Sequence, residues 1–370
     1  MGISKDGFLR PKEEILIDEI SLVGCPGLTV SHDNGNSKYD PDWGAYNEIY
    51  TGRSTDENIL RLGSSGGGIT TLLIELLDKN LVDKIVQVGV SEGNPLLNET
   101  KISESPNEVI DCTGSRYSPS SPLDRIRELM KDGHTYAIVG KPCDISAVRA
   151  LISANSKLNE KFPFLISFFC AGVPSINGTF ELLDKLDVKK SDVVSFRYRG
   201  DGWPGLTKAV TIDKTEKTMT YNDSWGKVLN RHLQTRCKLC ADGIGEAADI
   251  VCADAWHESD LSGYPSFKEA EGRSLFISRT IKGSELINST VNSQRLSLDE
   301  YNIENLKKIQ PYQAKRKRLA YFRHVAVKLS GGYVTKFNGY KLKRLAFRHF
   351  SFIALRDFLG TLKRVIRGSL

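Results

Sequence analysis

No stretch of this sequence reaches the about 18 to 20 uncharged apolar residues that a membrane-crossing helix requires, so no helical span is expected. Histidine is scarce, with six residues, and none stands in an HExxH or nucleophile-elbow setting. That removes the zinc-peptidase and Ser-His-Asp hydrolase readings. No repeat recurs at a fixed period, which argues against a solenoid. The first twenty residues carry scattered charge and no apolar core, so they do not read as a secretory signal, and a cytoplasmic location is expected. Acid is missing from one region: residues 311–370 hold 15 Lys and Arg against the single acid Asp357, a net +14. The other 310 residues hold 36 Lys and Arg and 44 Asp and Glu, a net −8. An acidic body therefore carries a basic tail, and attraction to an anionic surface belongs to that tail.

The 370 residues, 40% hydrophobic and 26% charged, suffice for one large domain or two modest ones. Turn formers (CPG, DNGNS, DPDWG) dominate residues 1–45 and predict an irregular lead-in. Over 46–190, apolar runs such as KIVQVGV, YAIVG and FLISFF alternate with helical spacing in ITTLLIELLDKN, LDRIRELMKDG and DISAVRALISAN, the pattern of a βαβ sheet. Over 191–310, VVSFRYRG, LTKAVTID and KTMTYN alternate like antiparallel strands, a short helix is expected at 225–233, and ADIVCAD and SLFISRT form a further strand pair. Residues 311–370 read as a basic helical tail. The expected fold class is α/β (mixed α+β): a central, mostly parallel sheet flanked by helices, an added antiparallel region and the tail.

Seven cysteines in a reducing compartment point to metal or redox use rather than disulfides. Cys143 follows one predicted strand, Cys170 ends another, and Cys237 and Cys240 form a CxxC in a loop. The carboxyl ends of parallel strands line the ligand crevice of such sheets, so a CxxC loop folded over it brings four thiols together. Four thiolates suit zinc or an iron–sulfur cluster, and buried unliganded cysteines are the third reading. Cys112 and Cys252 read as unremarkable, Cys252 as a core residue of a strand. The loop GSSGGG (63–68) before a helix offers backbone N–H groups and two hydroxyls to a phosphate, or simply caps the helix. FRYRGDGWPG (196–205) places Arg197 and Arg199 on one strand face beside Trp203, suited to an anion and a ring or to an ordinary hairpin. ADIVCADAW brings Asp254 and Trp256 to a strand end.

Seven segments in order, from YTGRSTDENILRLGSSGGGITTLLIELL (50–77) through CTGSRYSPSSP (112–122), AIVGKPCDISAVRAL (137–151), FFCAGVPS (168–175), FRYRGDGWPG and RCKLCADGIGEAADIVCADAW (236–256) to GRSLFISRT (272–280), resemble the β-subunit family of coenzyme F420-reducing hydrogenases and formate dehydrogenases. The resemblance covers roughly residues 45–310. It implies FAD, contacted by Ser64, Ser65, Gly66, Gly67, Ser115, Arg116 and Tyr117, with Arg197, Arg199, Trp203 and Asp254 around the flavin or substrate. It implies a [4Fe-4S] cluster on Cys143, Cys170, Cys237 and Cys240, and hydride exchange with a small organic or deazaflavin-type substrate while single electrons pass through the cluster. No catalytic acid or base is singled out. The family's N-terminal CxxCxxC module is reduced here to Cys25-Pro26, so an external donor such as a ferredoxin is expected. A role in polysaccharide biosynthesis is a further expectation, and the other readings are a non-catalytic electron-transfer or assembly subunit and a zinc-stabilised glycan-pathway protein. For the tail, residues 341–368 mix Lys and Arg with Leu, Phe and Ile at near-helical spacing, which suits an anionic membrane surface, the acidic body or a protein partner; nucleic acid is not expected.

Overall fold

The computed structural model describes residues 1–12, 18–32, 38–258 and 265–368. The DNGNS turn expected at 33–37 lies outside the described residues. Eight strands make the central sheet: β1 (Glu48–Ser54), β2 (Lys84–Ser91), β3 (Asn94–Ser103), β4 (Tyr136–Gly140), β5 (Phe164–Phe168), β6 (Ile250–Asp254), β7 (Ser274–Ser278) and β8 (Leu296–Glu300). Their order is β8-β1-β7-β6-β5-β4-β2-β3. The four inner strands β6, β5, β4 and β2 run parallel, and antiparallel strands extend the sheet on both sides, so it is mixed. Residues 250–300 supply three of the eight strands, so the sheet runs across the boundary expected at 190/191.

The inner strands carry apolar residues on both faces because both faces are covered. Ile85, Ala137, Val139 and Ile166 point to one face, where α1 (Gly68–Asp78) packs with Leu72, Leu73 and Leu76. Val86, Ile138 and Leu165 point to the other, where α2 (Pro142–Ala154) packs with Ile145, Val148 and Leu151. The period-2 alternation of a strand thus feeds two separate cores. A small antiparallel sheet, Val193–Arg197, Thr207–Thr211 and Glu216–Met219, has its own core around Phe196, Tyr198 and Leu183. In place of the helix expected at 225–233 the chain makes a π-turn at Asn222–Gly226 and a 3-10 turn at Leu229–Arg231.

The tail forms α4 (Pro311–Leu329), a short helix Leu342–Arg348, and α5 (Phe352–Ile366). It is stitched to the lead-in, because Thr29–Ser31 pairs in parallel with Lys336–Asn338. Its first half docks on the acidic body: Arg318 pairs with Asp42, and buried Lys317 reaches Glu246 at 2.7 Å. No described helix is long and apolar enough to cross a membrane.

Candidate functional site

The loop GSSGGG enters α1 through Gly67, which takes a left-handed conformation (φ 71°), and no side chain caps the helix. The free N–H groups of the first turn therefore face a cavity of about 640 Å³, together with Ser64 and Ser65. That volume is in the range of cofactor and substrate pockets. The carboxyl ends of β4, β5 and β6 form another wall, with Lys141, Cys170 and Asp254 at their tips. The switch from parallel to antiparallel order at β6–β7 stands at this edge.

Of the residues singled out from sequence, Ser64, Ser65, Gly67, Ser115, Tyr117 and Arg199 line the cavity, as do Arg116 and Asp254. Ser115 N–H donates to Ser64 Oγ at 2.6 Å, tying the two segments together. Gly66 faces the protein instead: its N–H donates to Ser274 Oγ, and a Cβ there would stand 2.7 Å from Gly52 O and from Ser274 N. Its glycine serves close packing on β1 and β7. Arg116 spends its guanidinium on Asn98 and on the carbonyls of Pro95, Leu97 and Phe196, bracing β3 to the small sheet.

Arg197 and Arg199 do not share a strand face, because the strand ends at Arg197 and the chain turns before Arg199. Arg197 donates to Leu62 O at 2.7 Å and borders a separate cleft of about 190 Å³. Arg199 is buried and forms a two-pronged pair with Asp254 at 2.9 and 2.8 Å. Burial opposes charge on Arg199, but Asp254 outweighs it and holds the guanidinium's pKa well above its ordinary value. Its plane also lies over the rings of Tyr221 (4.8 Å) and Trp256 (5.2 Å). Trp203 sits behind this pair, outside the cavity: its indole N–H donates to Asp254 at 2.7 Å and its ring stacks on Trp256.

Cys143 lies in the first turn of α2, Cys170 just past β5, and Cys237 and Cys240 in and after α3 (Thr235–Leu239). Gly172 brings β5's exit loop onto Cys237: at φ 126° its missing Cβ leaves room for the Cys237 Cβ, which would stand 3.2 Å away. The Val173 N–H points to Cys237 Sγ at 3.5 Å. Arg316 of α4 donates to the carbonyls of Cys170 (2.8 Å), Cys240 (3.2 Å) and Cys237, so one guanidinium staples the CxxC loop to the strand end. Burial pushes the Cys170 thiol up to about 12 and raises Cys143 and Cys240 as well, whereas Arg316, Arg236 and Lys141 act in the opposite direction. Among the described residues no three His, Cys, Asp or Glu side chains stand close enough to hold a metal ion. Cys143, Cys170, Cys237 and Cys240 offer sulfur donors among the cations Lys141, Arg236 and Arg316, a chemistry that suits a thiolate-held group, but their side chains are not drawn together into a ligand set in this structure. Cys25 adds a fifth thiol beside Arg236, whose guanidinium donates to Pro26 O.

Arg316, Arg236, Tyr221 and Gln310 escaped the sequence reading. Gln310 donates to Asp254 O and lines the cavity from the start of α4, and no local pattern marks it. Lys141 and Arg236 had a signal, since each stands within two residues of a candidate cysteine.

Family models described as coenzyme F420 hydrogenase/dehydrogenase, beta subunit, match this chain at residues 49–127 (N-terminal model) and 133–304 (C-terminal model). The coenzyme F420 hydrogenase subunit beta of Methanococcus voltae is 24% identical over 274 residues, covering 72% of this chain and 88% of that protein. The F420-dependent formate dehydrogenase subunit beta of Methanocaldococcus jannaschii is 27% identical over 212 residues, 55% of this chain and 52% of that one, so the match spans about half of that relative. A chain of the F420-reducing [NiFe] hydrogenase complex from Methanosarcina barkeri superposes with a TM-score of 0.61 at 18% identity, over 81% of this chain and 99% of its own, a likeness of fold.

Proposed function

Because the chain belongs to the coenzyme F420 hydrogenase/dehydrogenase beta-subunit family, we propose that its cavity is the reaction site of an electron-transfer oxidoreductase that takes FAD beside a [4Fe-4S] cluster. The observation that carries this reading is the convergence on one cavity of an uncapped helix N-terminus and the carboxyl ends of three parallel strands, with Cys170 on its wall and the CxxC loop stapled to that strand end by Arg316. A bound flavin would supply hydride exchange with a substrate and one-electron exchange with the cluster.

The residues have separable tasks in this reading. The first turn of α1 would hold the pyrophosphate through its N–H groups and the Ser64 hydroxyl, while Ser65 donates its own hydroxyl to Arg273 O at 2.9 Å and fixes the loop. Tyr221 and Trp256 form an aromatic wall of the cavity, and Arg199, which lies over both rings, is kept charged and oriented by Asp254. Cys143, Cys170, Cys237 and Cys240 would hold the cluster, and Lys141, Arg236 and Arg316 offset its negative charge. The substrate is a small organic molecule or a deazaflavin, and reducing equivalents enter or leave through a protein partner such as a ferredoxin. No residue of the cavity argues for a role in polysaccharide synthesis.

An anaerobic ultraviolet-visible spectrum, with iron, sulfide and flavin assayed on the same sample, tests the reading. About four irons and about one flavin per chain are expected. A colourless protein carrying one zinc after anaerobic cluster reconstitution would overturn it.

A further inference from the structure

The last helix is docked the wrong way round for a helix that ends at water. Residues 352, 355, 359, 362 and 366 recur at the three- and four-residue spacing that aligns one stripe of a helix, and all are Phe, Leu or Ile. That stripe points outward: Phe352 is 78% exposed, Leu359 53% and Ile366 73%. The side turned to α4 mixes small and polar residues with Val365, which packs on Leu239, Val327 and Val334. Ala354 and Thr361 are buried there, and Asp357 pairs with Arg323 of α4 at 2.7 and 3.0 Å. Phe347 and Phe350, from the preceding helix and turn, extend the apolar surface and are about 60% exposed.

Charge identifies what covers it. Residues 341–367 hold eight Lys and Arg and one acid, and that acid is already spent on Arg323. Arg356, Lys363 and Arg367 are exposed along the flank of the stripe. A second copy docking through the same stripe would set these cations against their own kind. An anionic lipid surface meets both the stripe and its rim. The helix, 15 residues or about 22 Å long, is long enough to lie along such a surface and too short to cross it.

We propose that α5 binds flat on an anionic membrane, with Phe352, Leu355, Leu359 and Ile366 entering the acyl boundary and Arg356, Lys363 and Arg367 among the headgroups. Since α4 holds both α5 and the carbonyls of the cysteine loop, docking would place that loop one helix away from the lipid.

The test is co-sedimentation of the full-length protein with phosphatidylcholine vesicles and with vesicles containing about 30% phosphatidylglycerol, at about 0.15 M salt. Binding at least about tenfold stronger to the anionic vesicles is expected, and it should weaken at high salt. Leu355→Glu/Leu359→Glu should lose it at least about tenfold, and Arg356→Gln/Lys363→Gln should weaken it about fivefold per cation removed. These side chains are exposed, so both variants should keep the parent's circular dichroism and melting temperature. The proposal is overturned by absence of vesicle binding, by unchanged binding of the Glu variant, or by a concentration-dependent dimer or a soluble acidic protein that occupies the stripe in preference to vesicles.

Discussion

Glu246 is buried with His32 at 3.0 Å and Lys317 at 2.7 Å, three ionisable groups drawn from the lead-in, the loop after the CxxC and the tail. Burial alone would raise its pKa, but Lys317 and His32 reverse that and bring it down to about 2. A carboxylate lowered from 4.5 adds stability that is complete above about 4.5 and is lost as the pH falls toward 2. The difference corresponds to on the order of 3 kcal/mol. Urea unfolding of the wild type and of Glu246→Gln should therefore differ most near neutrality, and the gap should close on acidification; a gap independent of pH would refute the assignment. The Arg199–Asp254 pair follows different arithmetic. Asp254→Leu leaves a buried guanidinium without its partner and should cost about 3–5 kcal/mol in denaturant unfolding, whereas Arg199→Met/Asp254→Leu should recover most of that loss. If the double variant is as unstable as the single one, the pair matters through something other than charge.

At the scale of elements, α4 acts as a clamp on a loop that has little structure of its own. α3 is five residues long, and its register depends on Arg316 below and on Arg323 and His324, which bond the carbonyls of Lys238 and Leu239. Arg316→Ala should free the 236–243 segment, seen as faster proteolysis there and a lower iron content per chain after reconstitution; Arg316→Lys, a single point donor, should fall between. Unchanged iron loading in the Ala variant would remove the clamp from the argument. The clamp also explains what the sequence could and could not disclose. The strands Tyr136–Gly140 and Phe164–Phe168 were legible because both faces are buried and the short runs are almost wholly apolar. The edge strands β3 and β8 were not, since NPLLNETKIS and LSLDE face water along one side and read as polar. The four candidate cysteines stood out by their place after strands. Arg316 is one of four consecutive basic residues, and nothing local separates it from its neighbours; only the docking of α4 gives it a role.

For the molecule as a whole, the basic tail has two halves with opposite dependence on the body. Lys317 and Arg318 are consumed by body carboxylates, Gln310 and Gln313 line the cavity, and Ala314 seals the core formed by Trp43, Leu275 and Ile309. Tyr340 is fully buried and donates to Asp242 at 2.8 Å, so the chain is integral to the fold up to that point. Beyond Phe350 only one side of one helix is covered, by Ala354, Thr361 and the contact of Val365 with Leu239, Val327 and Val334. A chain ending at Gln310 should therefore fail to fold, because it leaves Glu246 buried with His32 but without Lys317 and opens the cavity. A chain ending at Phe350 should stay folded, with a melting temperature a few degrees below the parent, as loss of about 1–2 kcal/mol implies for a protein of this size. Thermal unfolding of the two truncated proteins, with their soluble yields, decides the matter. If the longer one also fails to fold, α5 is part of the core and its outward stripe must be read as an accident of packing; if it folds and no longer sediments with anionic vesicles, the tail's second half is the separable, surface-seeking part.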